Sequence, residues 1–401
     1  EMSEMERDQL YRAIGGEVKR VASELNALSD QIHQWAEIGF EEHRSCRALC
    51  SYLEAQGFAV QSPFAGLDTA FEAVWEAAGG IAAGGPNIGL LCEDDALAGQ
   101  GHGCAHHMQG PAIIGAALAI RAALGETLPY RLTVQGTPAE ESLEGGKTVM
   151  AEQGAFSSLD VALMVHGGRY TQIDTPSLAL IEFDVEYFGT ASHAGIAPEK
   201  GRSAVDAVTL LQTGLALLRG HVCDGVRMNN IVLDGGQAVN SIAPYAKVKV
   251  ELRATQIGYL DELCRRAHKV VEAAAMATET TCKITPVARL ANTVINPLLS
   301  ELVLDCARDL GCADIMPPRG NPGSTDFGAV TNQVPSCCLR VKTIDQDWPA
   351  HSAQWVEAGT QPANYQGIVE GASALAAAGC RLIQEPETLQ AVQRVHRELL
   401  A

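Results

Sequence analysis

Apolar and polar positions along this chain follow two rhythms. The first runs to about residue 176 and returns after residue 292, with short apolar runs alternating with stretches of helical period. Residues 5–56 read as helix, with Leu25, Leu28, Ile32 and Trp35 at helical spacing and a charged opposite face. Asn87–Cys92 is an apolar run ending in Glu93-Asp94-Asp95, the pattern of a buried strand with acidic residues at its carboxyl end. A Gly/His-rich loop spans 99–110. The Ala-rich Pro111–Leu124 follows as a helix with Pro near its first turn, a favoured position. Arg131–Gln135, Val161–Val165 and Pro335–Val341 predict further short strands. Strands and helices alternating in this way build a mainly parallel sheet flanked by helices. Ligands of such sheets gather at the carboxyl ends of the strands, and the unusual residues of this chain fall there.

The second rhythm occupies about 178–290. Leu178–Phe188 and Ala246–Ala254 alternate apolar and polar, as strands with one wet face do, and Ser203–Leu218 and Leu260–Ala277 are amphipathic helices. The expected architecture is therefore α/β. One domain is made of 1–176 and 293–401, with an α+β domain, 177–292, inserted into it. A chain of 401 residues is long enough for two cores.

Composition narrows the partners. Lys and Arg total 29 against 48 Asp and Glu, a net charge of −19, which argues against nucleic acid or an anionic membrane surface. A few local cations still suffice for an anionic substrate, because distant charge is screened. No apolar run has the length of a membrane span. The acidic, polar start shows no secretory signal, and the 12 cysteines are scattered without a CxxC pair. Reduced thiols in a cytoplasmic protein are expected.

Candidate chemistry lies in four places. The loop Gly101-His102-Gly103-Cys104-Ala105-His106-His107 packs imidazoles and a thiol together, donors that suit zinc, manganese or related divalent ions; the bland alternative is a polar loop with one buried thiol. Thr137-Pro138-Ala139-Glu140-Glu141-Ser142 places two carboxylates at a strand end, where one can bind an ion and the other accept a proton. Adjacent glutamates more often begin a solvated helix, and Gly145-Gly146 downstream fits that reading too. His166, in Val165-His166-Gly167-Gly168, and His351, in Pro349-Ala350-His351-Ser352, each follow a strand-like run.

Taken in order, the segments CEDDAL, GHGCAHH, PAEES, VHGG, SHAG, GSTDFG and AHS resemble one metallopeptidase family. That family, M20, contains aminoacylases, carboxypeptidases, auxin-conjugate amidohydrolases and aminobenzoyl-glutamate hydrolase, and the amidohydrolase branch is the nearest. The resemblance implies a metal held by Cys104, His106, Glu141, His166 and His351, as one or two ions, Mn²⁺ before Zn²⁺. It implies Glu140 as general base and acid, and Asp95 supporting the ligands from behind rather than binding the ion. His107, beside the ligand loop, takes a similar supporting place. The insert resembles the family's lid and dimerisation domain, so a homodimer or higher homo-oligomer is implied. Within it, His193 matches a residue that steadies the developing oxyanion and Asn240 one that contacts substrate. Arg289, in an apolar setting, suits a carboxylate grip as well as a plain salt bridge.

One departure stands out. The branch reads Cys-Gly-His-Asp or Cys-Gly-His-Asn, where this chain reads Cys104-Ala105-His106-His107. Alanine restricts the backbone there, and histidine changes the charge and donor capacity beside the ion. The expected reaction is hydrolysis of a C–N bond in a small, carboxylate-bearing substrate, most simply an N-acyl or aminobenzoyl amino acid. Relatives with the same frame instead release ammonia from an aromatic amine such as 5-nitroanthranilate, by the same activation of water. A non-catalytic, metabolite-binding relative and a hydrolase with Cys104 as nucleophile are the rival classes.

Overall fold

The structure, a computed structural model, describes residues 4–320 and 323–401. Its strands are β1 (Ala59–Gln61), β2 (Phe71–Ala77), β3 (Asn87–Cys92), β4 (Tyr130–Gly136), β5 (Val161–Gly168), β6 (Gln172–Ile173), β7 (Ala179–Phe188), β8 (Ser192–His193), β9 (Arg227–Asp234), β10 (Ser241–Ile242), β11 (Tyr245–Ala254), β12 (Thr281–Leu290) and β13 (Ser336–Lys342). The chain divides into two units, Glu1–Pro176 with Thr293–Ala401, and Ser177–Asn292.

The first unit is built on a seven-stranded sheet in the order β1-β2-β4-β3-β5-β13-β6. Its centre, β4-β3-β5-β13, is parallel, and the outer pairs β1-β2, β2-β4 and β13-β6 are antiparallel. Every residue of β3 and of β5 is buried, which explains why these strands read as unbroken apolar runs. Helices α1 (Glu4–Trp35), α2 (His43–Ala55), α3 (Gln109–Leu124) and α4 (Gly146–Glu152) belong to this unit's first segment.

The single helix expected over 5–56 is two. Ala36 and Phe40 take positive φ (45° and 66°), and Glu37 then caps the second helix by accepting from the backbone N–H of Arg44 and Ser45 at 3.0 and 2.9 Å. Apolar periodicity continues through Leu49 and Leu53, so the pattern hides the break.

The second unit carries α5 (Ala204–Leu218) and α6 (Ile257–Ala277) on a four-stranded antiparallel sheet ordered β12-β7-β11-β9. In β11 every second residue is buried, the alternation legible in AKVKVELRA. The first unit resumes with α7 (Pro297–Asp309), α8 (Gly328–Thr331), α9 (Ala353–Ala358), α10 (Pro362–Gln384) and α11 (Pro386–Leu400). Buried α3 and α10, both rich in Ala and Gly, pack closely. Gly379, for example, lies where an added Cβ would come to 2.7 Å from Ile120 Cδ1, so that side chain would have to shift.

Candidate metal centre

Four parallel strands end on one side of the first unit, and the segments leaving β3, β4 and β5 carry the polar residues that meet there. Leaving β3, Glu93, Asp94 and Asp95 are all buried. Asp95 accepts at Oδ1 from Nδ1 of His106 at 3.0 Å and at Oδ2 from the backbone N–H of Glu141 at 2.8 Å. One carboxylate thus ties the histidine loop to the glutamate loop.

His106 is wholly buried, and its Nε2 has no hydrogen-bond partner. Nε2 lies 3.2 Å from Oε2 of Glu93 and 3.9 Å from Oε2 of Glu140. Burial opposes a charge on this ring, but Glu93 and Asp95 outweigh it, so His106 is pushed well above its ordinary value in the metal-free protein. His166 goes the other way, held well below its ordinary value by burial and by the Arg340 guanidinium. Arg340 Nη1 lies 3.0 Å from His166 Nδ1, which is also 2.8 Å from the carbonyl of Gly167; the other ring nitrogen, Nε2, is 3.7 Å from Sγ of Cys104.

Two ligand groups share one thiol. Cys104, His106 and His166 form the first, and Cys104, Glu141 and His351 the second, with the donor atoms of each within 4.8 Å of one another. His351 arrives from a loop at φ 65°, its backbone N–H donating to the carbonyl of Gly103, with Nε2 3.6 Å from Oε1 of Glu141. That carboxylate oxygen is also buried and without a partner. A buried imidazole nitrogen and a buried carboxylate oxygen left unsatisfied around a thiol are what a divalent ion would satisfy. The residues therefore fit a metal.

Glu140 lies in a loop, not at a helix start, because α4 begins only at Gly146. The residue before it, Ala139, takes φ 62°, and its backbone N–H donates to Oε1 of buried Glu42 at 2.8 Å. Ala105, before His106, likewise takes φ 59°. A left-handed alanine costs about 1–2 kcal/mol, so two small strains hold the loops that present His106 and Glu140. Burial, then the negative charge of Glu93, pushes the Glu140 carboxyl up to about 8. Burial also pushes the Cys104 thiol up to about 11.

His107 turns away from this cluster. Its Nε2 meets the carbonyl of Gly359 at 2.9 Å, and its ring packs against His33 and His102 with centroids 4.8 and 5.1 Å away. Asp95, Glu93 and Arg340, rather than His107, lie against the ring nitrogens of His106 and His166. In the second unit, His193 and Asn240 are neighbours: β8 pairs with β10, and the N–H of Ala194 donates to the carbonyl of Asn240 at 2.9 Å. Both residues are exposed. Arg289 forms a two-armed pair with Asp261, at 3.0 and 2.8 Å. Sequence reasoning missed Glu93, Glu42, Lys147, Asp326 and Arg340; a lone Lys in the apolar stretch GGKTVM and the acid in GSTDFG were the available signals.

Residues 93–360 match the model of peptidase family M20/M25/M40. The chain belongs to this family. The M20 chain is 34% identical over 406 residues to the Xaa-Arg dipeptidase of Mus musculus, covering 98% of this chain and 93% of that one. It is also 34% identical to one subunit of the p-aminobenzoyl-glutamate hydrolase of Escherichia coli (strain K12), over 68% of this chain and 60% of that protein. Among solved structures, an aminobenzoyl-glutamate utilization protein from Klebsiella pneumoniae superposes with a TM-score of 0.70 at 18% identity, covering 92% of this chain and 98% of that one. A dinuclear metal binding peptidase of the M20 family from Bacillus subtilis gives a TM-score of 0.69 at 16% identity, covering 91% and 99%. The M20 protein is a metal-dependent amidohydrolase, with a divalent metal as cofactor.

Proposed function

We propose that this M20 enzyme hydrolyses the amide bond of a small, carboxylate-bearing N-acyl amino acid, aminobenzoyl amino acid or dipeptide. The observation that carries the reading is the Cys104 thiol standing in two ligand groups at once, with Glu140 reaching to 3.9 Å from one of the ligands they use. In this reading Cys104, His106 and His166 hold one ion and Cys104, Glu141 and His351 a second, with Mn²⁺ preferred over Zn²⁺. When bound, the ions supply Lewis acidity that polarises the carbonyl and acidifies water.

Glu140 takes a proton from the attacking water and later delivers it to the departing nitrogen. Its half-enclosed carboxylate, with side-chain exposure of 14%, is shielded from bulk water yet open to a reactant. Asp95 holds the Nδ1 proton of His106, which leaves Nε2 free to donate its lone pair. His193 steadies the developing oxyanion and Asn240 contacts the substrate, roles that the family resemblance gives them and that their adjacency across β8 and β10 supports. Arg289 is the candidate for the substrate carboxylate.

Two wider expectations accompany this reading. A homo-oligomer formed through the second unit is supported by edge strand β9, which exposes Ile231, Val232 and Leu233. A cytoplasmic location is supported by the free thiols of all 12 cysteines. No helix among the described residues is long and apolar enough to cross a membrane.

The test is a panel of Xaa-Arg dipeptides, aminobenzoyl-glutamate, N-acyl amino acids and amino-substituted aromatic acids, assayed with Mn²⁺ and with Zn²⁺. Released amino acids and released ammonia are followed separately. Turnover of at least one amide with release of an amino acid is expected. Ammonia from the aromatic acids alone would replace amide cleavage with deamination.

A further inference from the structure

A second buried network stands behind His106. Lys147, at the start of α4, is wholly buried. Its Nζ donates to Oε1 of Glu93 at 2.6 Å and to Oδ1 of Asp326 at 2.8 Å, while its backbone N–H donates to Oδ2 of Asp326 at 2.8 Å. One ammonium faces two carboxylates here, all three with side-chain exposure of 1% or less. Buried charge left unbalanced is costly, so this arrangement calls for a further positive charge nearby.

Glu93 shows where that charge belongs. Its Oε1 is taken by Lys147. Its Oε2 accepts from Nε2 of Gln109 at 2.8 Å, and Gln109 Oε1 accepts in turn from the Glu93 backbone N–H at 3.0 Å. Fixed in this way, Oε2 is left 3.2 Å from the unpartnered Nε2 of His106, whose other nitrogen is engaged by Asp95. At that distance the two atoms are held together by a positive charge between them, a proton in the metal-free protein, and a bound cation would take that proton's place. Glu93, His106 and Glu140 form a ligand group of their own, within 4.8 Å, which shares His106 with the Cys104–His106–His166 group.

We propose that Glu93 is a further ligand of the cation held at His106, its carboxylate fixed by Lys147 and Gln109. This rests on the metal reading of the site and adds a sixth protein ligand to it. Lys147 is a positioning residue, and Asp326, from the GSTDFG segment, anchors it. The ligand is hard and anionic, so it gives the half of the centre without a carboxylate from Glu141 one of its own, which favours Mn²⁺ there over softer ions.

Calorimetric titration of metal-stripped wild type and Glu93→Gln with Mn²⁺, with ion content counted by mass spectrometry, tests the assignment. Wild type is expected to bind two ions per chain. Glu93→Gln is expected to keep the ion at Cys104, Glu141 and His351 and to bind the other at least about 10-fold more weakly. Two ions bound with wild-type affinities by Glu93→Gln would overturn the proposal, whereas a wild type that binds none would overturn the metal reading itself. A second measurement needs no variant. In crystals of wild type grown with Mn²⁺, Glu93 Oε2 is expected within about 2.5 Å of an ion, and a Glu93 bonded to Lys147 and Gln109 alone, out of reach of every ion, would overturn the proposal.

Discussion

Asp95 and His106 are joined Oδ1 to Nδ1 at 3.0 Å, both side chains out of reach of solvent. The bond decides which ring nitrogen carries the proton. With Nδ1–H donated to Asp95, Nε2 is the nitrogen left to face Glu93 and Glu140 and to meet a bound ion. Asp95 also fixes the backbone of Glu141, so the geometry of two proposed ligands depends on one carboxylate.

Asp95→Asn should therefore weaken metal binding by roughly 10–100-fold. An asparagine has one acceptor oxygen and cannot serve both the imidazole and the Glu141 N–H. Metal titration of the variant checks this, and unchanged affinity would remove Asp95 from the support of the ligands.

Glu140→Gln should keep the ions and lose activity. A positioned acid–base group contributes about 10²–10⁴-fold, and the glutamine fits the same space without accepting a proton. Steady-state kinetics alongside metal content separate this from ligand loss. Activity close to wild type in a fully loaded variant would exclude Glu140 as the base.

Glu42 gives a pH-dependent prediction for the metal-free protein. Burial pushes its carboxyl from 4.5 up to about 7, against the hydrogen bonds from Thr69 and Ala139. The folded chain therefore holds this proton more tightly than the unfolded chain. Stability from this group is full below about pH 4.5 and is lost as pH rises through about 7. Melting temperatures of the metal-free protein should fall over that range, and Glu42→Gln should flatten the fall. An equal slope in the variant would assign the pH dependence to other groups.

Arg289 separates a structural pair from a substrate grip. Its partner Asp261 and Arg289 itself are both about half exposed (43% and 55%), and such pairs contribute about 0–1 kcal/mol. Arg289→Ala should leave the melting temperature nearly unchanged. If Arg289 grips the substrate carboxylate, KM rises with little change in kcat; kinetics like wild type would confine it to the salt bridge.

The rival use of Cys104 as a nucleophile is also open to test. A chelator should abolish activity, and Mn²⁺ or Zn²⁺ should restore it. Activity that resists chelation but is lost on alkylation would instead favour the thiol, although burial keeps the Cys104 thiol protonated at neutral pH without a metal.

Much of the fold was legible because β3 and β5 are buried on both faces and β11 on one, and each burial pattern leaves its own hydrophobic rhythm. The break at 36–42 was not, since apolar spacing survives it and only backbone dihedrals mark it. In the site, the clustering of Cys104, His106 and His107 was conspicuous, yet no spacing rule showed that His107 turns toward His33 and His102. Glu93 stood out only as one of three acids ending a strand, and Lys147 and Asp326 escaped as site residues for a different reason. Single charges far apart in sequence look like surface residues until the fold buries them against one another, as it does here at 2.6 and 2.8 Å.

The proposed metal centre depends on one thiol, that of Cys104, serving two divalent ions. Titrating metal-stripped protein with Co²⁺ while following thiolate-to-cobalt absorption tests it most directly. The absorption should grow through two equivalents per chain and be absent in Cys104→Ser. Cobalt binding without any thiolate absorption in the wild type would contradict the account.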